Sequence, residues 1–301
     1  MKVLVTGGNG FIGQHCLAQL LNKGYEVHAV SSSPRSSTAA VQWHQANLLD
    51  IAQIRHLVRT VKPSHLLHLA WYTEHGKYWT ARENLNWVQA SLALMHEFTD
   101  SGGQRLVAAG TCAEYDWSYA FCSEETTPCR PATLYGAAKF STQLLLESWS
   151  RQTDLSCAWG RIFLLYGPGE YPSRLVPSVI NSLLRGEPAL CTYGEQVRDF
   201  MYVADVAAGF VALLECEVRG VVNIASGEEV PLKDVVYNIA DQLGRRDLIR
   251  LGAIPSSINE PAELIADVAR LRDEVGFKPS YKLEQGIALT IEFVKKMMQA
   301  N

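Results

Sequence analysis

The sequence has no apolar run near the ~20 residues needed to cross a membrane, no Cys-x-x-Cys pair, no block of like charge, no internal repeat and no low-complexity tract. Each absence removes a class of protein. Without a spanning run or a polybasic stretch, no membrane contact is expected. Seven cysteines stand at 16, 112, 122, 129, 157, 191 and 216. An odd number without paired spacing builds neither a disulfide framework nor a zinc site, so no metal is expected. Scattered thiols suit a reducing compartment, and a cytoplasmic location is the expectation. Acids exceed bases by 31 to 27, with both signs dispersed, so nucleic acid is not an expected partner. Strand signals begin at Lys2, so no signal peptide is expected. The serine-rich stretch from Ser31 to Ser37 is only loop-sized.

What is present begins at once, in Lys2-Val-Leu-Val-Thr-Gly-Gly-Asn-Gly-Phe-Ile-Gly13. Val3, Leu4 and Val5 form the continuous apolar run of a strand covered on both faces. Gly7, Gly10 and Gly13 follow at a spacing of three. One can make a tight turn, one can let the backbone approach a pyrophosphate, and one can let a helix lie close on the sheet. From Phe11 onward, Phe11, Ile12, Cys16, Leu17, Leu20 and Leu21 mark a helical face. The start of that helix offers free N–H groups to phosphate. A glycine triplet alone is weak; between a strand and a helix it reads as a dinucleotide site.

Strand and helix signals then alternate. Strands are expected at 26–30, 41–44, 64–70, 104–109 and 155–163. Helices are expected at 51–60 after the N-cap Asp50, at 81–100 and at 133–153. This β-α-β alternation predicts a parallel, doubly wound α/β sheet, with ligands beyond the carboxyl ends of its strands. After Gly167-Pro168-Gly169 the pattern loosens around Pro172, Pro177 and Pro188. The expected organisation is a dinucleotide-binding domain over 1–165, to which 203–226 returns. A smaller substrate-binding subdomain then takes 166–202 and 227–301. An amphipathic helix at 283–298 closes the chain.

Two places carry chemistry. At the end of the second strand, where an acid would hold the ribose of NAD, stand Ser31, Ser32, Ser33, Pro34 and Arg35. An acid repels a 2′-phosphate, whereas hydroxyls and a guanidinium bind it. NADP(H) is therefore favoured, with NAD(H) open. The second place is Tyr135-Gly-Ala-Ala-Lys139, the one Tyr-x-x-x-Lys in the chain. Four residues apart on a helix, the two share a face. An ammonium beside the phenol is expected to lower its pKa and make Tyr135 a general acid/base. Lys139 is also placed to reach the ribose next to the nicotinamide. Thr111, just past the fifth strand, would hold a substrate oxygen near the phenol.

With these pieces the chain resembles the extended short-chain dehydrogenase/reductase family, the nucleotide-sugar epimerases, dehydratases and reductases. The matching stretches are Thr6 to Gly13, His68-Leu-Ala70, Asn84, Thr111 four residues before Tyr115, Tyr135-x-x-x-Lys139, Tyr166-Gly-Pro168, Arg198-Asp-Phe200 and Asp205-Val-Ala207. The resemblance implies a Rossmann domain with a C-terminal sugar-nucleotide lid, a nucleotide-sugar substrate and a homodimer built on two long helices per subunit. It implies that Leu69, Ala70 and Trp71 line the ribose and nicotinamide, and that Asn47 and Leu48 flank the adenine. It implies that Arg198 clamps the substrate's pyrophosphate, with Arg174 and Tyr193 added to that site. Trp71, Tyr72, Tyr78 and Trp79 are candidates for a sugar or base pocket. His65 and His68 are expected to pack at a strand.

The departures narrow the expectation. Dehydratases of the family carry Asp-Glu after the threonine; here Cys112-Ala113 leaves no acid there to protonate a leaving hydroxyl. The asparagine often found before Tyr-Gly-Pro is Leu164. The leading expectation is NADPH-dependent reduction of a nucleotide-linked 4-keto-6-deoxyhexose. The alternatives are an NAD-dependent nucleotide-sugar 4-epimerase using the same triad, and a dinucleotide-binding sensor or scaffold without turnover.

Overall fold

The computed structural model describes residues 1–255 and 260–300. The expected subdomain range 227–301 includes 256–259 and 301, which lie outside the described residues. The first half runs β1 (Lys2–Thr6), α1 (Gly13–Asn22), β2 (Glu26–Ser31), β3 (Val41–Gln45), α2 (Ile51–Val61), β4 (His65–His68), α3 (Glu83–Asp100), β5 (Arg105–Thr111), β6 (Phe121–Cys122), α4 (Leu134–Ser150) and β7 (Ser156–Ile162). The second half runs β8 (Leu164–Tyr166), α5 (Leu175–Leu184), β9 (Ala189–Leu190), β10 (Val197–Arg198), β11 (Phe200–Tyr202), α6 (Val203–Glu215), β12 (Gly220–Ile224), β13 (Val230–Pro231), α7 (Leu232–Leu243), β14 (Ile249–Arg250), β15 (Glu263–Ala266) and α8 (Leu283–Ala300).

Seven strands form one sheet in the order β12-β7-β5-β4-β1-β2-β3. Every adjacent pair is parallel. The alternation of strand and helix predicts this, because a parallel pair needs a crossover and the helices fill both faces. Side chains alternate between faces along each strand. Val3 and Val5 join Leu67, Val107 and Phe210 on the face covered by α1 and α6. Leu4 joins Ile54, Leu94, Phe98 and Leu106 on the face covered by α2, α3 and α4. The order reverses between β1 and β4, which opens a crevice at their carboxyl ends.

Local chemistry sets the element ends. Asp50 caps α2, with Oδ1 accepting from Ala52 N at 2.9 Å, and Lys62 closes it in the left-handed region at φ 47°. The helix expected from Phe11 begins at Gly13, since Phe11 and Ile12 belong to the turn. The strand expected to reach Ala70 stops at His68. Beyond it the amides of Leu69 and Ala70 donate to Thr6 Oγ1, each at 3.1 Å, which draws the chain across the top of β1.

α5, α7 and α8 pack around Tyr166, Val176, Ile180, Ile239 and Ile287 as a second body above the carboxyl ends of the sheet. Pro177, read from sequence as a breaker, sits in the first turn of α5, where its missing N–H leaves no gap. Phe11 and Ile12 pack against this body and join it to the glycine turn. Among the described residues no helix is long and apolar enough to cross a membrane. No cluster of three His, Cys, Asp or Glu side chains among them could hold a metal ion.

Candidate active site

The glycine turn has the shape a dinucleotide pyrophosphate requires. Gly7 sits at φ +68°, and a Cβ there would lie 2.8 Å from Ala70 N. A Cβ on Gly13 would overlap Gly7 O and lie 2.7 Å from Gly8 Cα, so only glycine lets α1 approach the turn this closely. Gly10 N donates to Gly7 O at 2.8 Å, and a Cβ on Gly10 would meet nothing nearer than that same oxygen at 3.2 Å. No side chain caps α1, so its first amides remain open to an anion.

Thr6 fixes the floor beside the turn. Its Oγ1 accepts from Leu69 N and Ala70 N, so its own proton goes to His68 Nδ1, at 2.7 Å. His68 then carries its proton on Nε2 and donates to Ser91 Oγ at 2.8 Å. Burial lowers the His68 pKa to about 3, so the ring is neutral. His68 is a packed, hydrogen-bonded strand residue.

At the end of β2, Ser31 Oγ accepts from Ser33 N at 3.2 Å and holds the loop in a turn. The exposed Arg35 guanidinium lies 5.1 Å over the Trp43 ring, an arrangement that orders it without neutralising it. Ser32 O accepts from Gln45 Nε2 at 3.4 Å. Asn47 Oδ1 accepts from Leu49 N at 3.0 Å, and Leu48 is buried against the α2 side of the sheet.

Tyr135 opens α4, which Thr133 caps by accepting from Gly136 N at 3.1 Å. Tyr135 N donates to Trp79 O at 3.1 Å, which ties the helix start to the loop after β4. The phenol ring stands edge-on to Tyr78 at 4.9 Å and to Trp79 at 5.8 Å. Asn84 holds that loop from beneath. It accepts from Trp71 Nε1 at 2.9 Å and donates to Tyr78 O at 2.7 Å. Trp71, Tyr78 and Trp79 therefore gather around Tyr135. Tyr72 turns away and donates to Glu74 at 2.8 Å.

The electrostatics of Tyr135 differ from the sequence expectation. Burial pushes its pKa above the usual phenol value, Tyr78 adds to the rise, and the Thr111 hydroxyl opposes it. Lys139 is turned to other partners. Its Nζ donates to Ala109 O at 2.8 Å and lies 3.9 Å over the Trp71 ring. Burial lowers the Lys139 pKa to about 7, with the Glu114 charge pulling it back up. An ammonium that is itself costly to bury is a weak force on its neighbour. Tyr135 is accordingly held as a neutral phenol.

Thr111 ends β5 and caps the short turn Cys112–Glu114. Its Oγ1 accepts from Ala113 N at 3.2 Å, while Glu114 Oε1 accepts from Thr111 N at 2.8 Å. Glu114 went unread in the sequence, although Thr-x-x-Glu is a capping-box spacing. Cys112 and Ala113, where a dehydratase has acids, are both buried.

The three residues assigned to the substrate's phosphates lie differently. Arg174 precedes α5, and its Nη2 donates to Tyr78 OH at 3.5 Å, so it reaches the aromatic cluster. Tyr193 is 69% exposed and lies over Gly252. Arg198 is 3% exposed, and its guanidinium binds Val197 O, Ala262 O and Pro261 O and pairs with Glu260 at 2.9 Å. The sequence expectation left this guanidinium free for a pyrophosphate; here its bonds go to the chain itself, and a phosphate would have to displace residues 260–262.

Residues 3–225 match the model of the NAD dependent epimerase/dehydratase family. A curated relative, dTDP-6-deoxy-L-talose 4-dehydrogenase (NAD(+)) of Aggregatibacter actinomycetemcomitans, is 26% identical over 78% of this chain and 88% of its own length. The UDP-glucose 4-epimerase of Thermotoga maritima, solved with UDP-glucose, superposes with a TM-score of 0.88 at 26% identity, covering 99% of this chain and all (100%) of that one. MoeE5, solved with UDP-glucuronic acid and NAD, gives 0.86 at 28% identity, covering 99% and 100%.

Proposed function

The chain belongs to the NAD dependent epimerase/dehydratase family, and on that premise we propose that it is an NADPH-dependent reductase of a nucleotide-linked 4-keto-6-deoxyhexose. The observation that carries this reading is the turn at Thr111. It presents a hydroxyl beside the Tyr135 phenol, and its only carboxylate, Glu114, is taken up by Thr111 N, Trp159 and Arg161. No acid there is free to expel a hydroxyl, so carbonyl chemistry fits and elimination does not.

A bound nicotinamide dinucleotide supplies the hydride. Tyr135 donates its proton to the carbonyl oxygen, and the solvent later restores it. Thr111 donates a hydrogen bond to the same oxygen and sets its position. Trp71, Tyr78 and Trp79 exclude water from the reacting centre. Gly7, Gly10 and the open amides of α1 take the pyrophosphate, and Leu69, Ala70, Trp71 and Lys139 take the nicotinamide half. Ser31, Ser32 and Arg35 favour a 2′-phosphate, and Asn47 and Leu48 flank the adenine. Arg174 belongs to the sugar-nucleotide side with the exposed Tyr193; Arg198 would join them only by exchanging its bonds to residues 260–262 for a phosphate.

The test starts with freshly purified protein. Its bound nucleotide is extracted and identified, and NADPH or NADH is then added with a panel of nucleotide 4-keto-sugars. NADPH consumed in step with product supports the reductase. Tightly held NAD with sugar interconversion and no net nicotinamide change would replace it with the 4-epimerase, the reading favoured by the superposition on the Thermotoga maritima enzyme. With an active substrate, Tyr135→Phe is expected to lower turnover by about 10²–10⁴-fold while leaving dinucleotide affinity unchanged; retained turnover would remove Tyr135 from catalysis.

The same reading includes a cytoplasmic homodimer through α3 and α4. Leu85, Leu144 and Leu145 are exposed on these helices. An open groove of about 210 Å³ runs between them, lined by Leu92, Met95, His96, Leu145, Leu146 and Trp149. Apolar faces of this kind on neighbouring helices suit a second copy of the same pair.

A further inference from the structure

Glu114 is fully buried and has its acceptor capacity filled. Oε1 accepts from Thr111 N at 2.8 Å and from Trp159 Nε1 at 2.9 Å. Oε2 accepts from Arg161 Nε at 2.7 Å and shares the Trp159 proton at 3.2 Å. Two of these donors come from β7, which lies beside β5 with Trp159 opposite Ala108 and Arg161 opposite Gly110. A Cβ on Gly110 would overlap the Trp159 indole nitrogen and lie 2.7 Å from Glu114 Oε1, so glycine there makes room for the contact. The network therefore sits inside the sheet, directly behind Thr111.

A buried ion pair is a poor source of stability, because the desolvation of two charges offsets their attraction; an apolar pair of similar volume does as well. Its usefulness here lies in where it is. We propose that Glu114 is a positioning residue for the reaction, clamping the Thr111 backbone so that the Thr111 hydroxyl, with one lone pair taken by Ala113 N, presents its proton to the substrate carbonyl. The assignment rests on the reading of Thr111 and Tyr135 as carbonyl chemistry. The charge of Glu114 acts in the same direction. It favours the ammonium of Lys139 against burial and the neutral phenol of Tyr135.

Glu114→Gln keeps the shape, removes the charge and turns an N–H₂ toward donors. On a substrate that the wild type turns over, kcat is expected to fall about 10–100-fold, the range for losing hydrogen bonds to a charged group, while KM and dinucleotide Kd move less than about threefold. If Glu114 works through Thr111, adding Glu114→Gln to Thr111→Ala lowers kcat by less than about twofold further. Independent, multiplying losses, or a kcat loss that only tracks the folded fraction, would overturn the assignment.

A second readout needs no substrate. The ionisation of Tyr135, followed by ultraviolet difference against Tyr135→Phe in dinucleotide-bound protein, should move to lower pH in Glu114→Gln. An unmoved midpoint would overturn the assignment. Wild-type inactivity on every keto-sugar would sink the substrate reading alone and leave this titration to decide on Glu114. Should Glu114→Gln not fold, Trp159→Phe removes one donor from the network. It is expected to lower kcat about three- to tenfold with the same non-additivity toward Thr111→Ala; an additive loss would count against the proposal.

Discussion

Lys139 is a buried cation with no carboxylate at ion-pair distance among the described residues; a carbonyl oxygen and an indole face receive it. With its pKa lowered from 10.5 to about 7, the folded chain gives up a proton that the unfolded chain keeps between those values. Wild-type stability therefore climbs with pH through that window. Lys139→Met lacks this slope. In thermal melts of dinucleotide-free protein, the stability of Lys139→Met relative to wild type should decline from about pH 6 to about pH 9. A constant difference would mean that folding does not lower the Lys139 pKa. Arg35 offers a second single-residue test. Removing its guanidinium should weaken NADPH about tenfold or more, the scale of a lost charge-assisted hydrogen bond, and leave NADH nearly unchanged. Equal effects on the two, read by fluorescence titration, would detach Arg35 from the 2′-phosphate.

At the scale of elements, the glycine turn is the least tolerant part of the fold. Gly13→Ala places a methyl group on Gly7 O. It should cost about 1–3 kcal/mol through overpacking, seen as a lowered Tm together with lost dinucleotide affinity. An unaltered Tm would contradict the close approach of α1 to the turn. This element was legible in the sequence, because strand, glycines and helix follow without a break. So were the other strands and helices of the seven-stranded sheet, whose apolar patterns reflect burial on one or both faces. The short strands β8 to β11, β13 and β14 were not legible. Two or three residues carry no periodicity, and their pairing is decided by tertiary contacts. The shared helix of Tyr135 and Lys139 was legible from their spacing, and the place of Thr111 from the end of β5, but the electrostatics of the group were not. Which way Lys139 turns depends on Trp71 and Ala109, far from it in sequence. Arg198 gave no sign that residues 260–262 would occupy it. Glu114 could have been found from its spacing to Thr111; its meaning needs Trp159 and Arg161, which only the β5–β7 register brings near.

For the whole molecule, the proposed dimer has a direct test. Leu145→Glu places a charge in the groove between α3 and α4. It should convert a dimer to monomers in analytical ultracentrifugation without changing the fold seen by circular dichroism. A wild type that is monomeric at every concentration would remove the α3–α4 pairing.

The chain leaves the sheet after β7, builds part of the upper body, returns for α6 and β12, and leaves again for α7 and α8. The upper body is thus joined to the sheet by three crossings of the chain, and β6, from the first half, pairs with β15 in the second. One proteolytic nick cannot shed it, and one recombination point cannot exchange it for another. Change in the upper body of such an architecture proceeds by substitution in place, while the strand crossings above the sheet stay as they are.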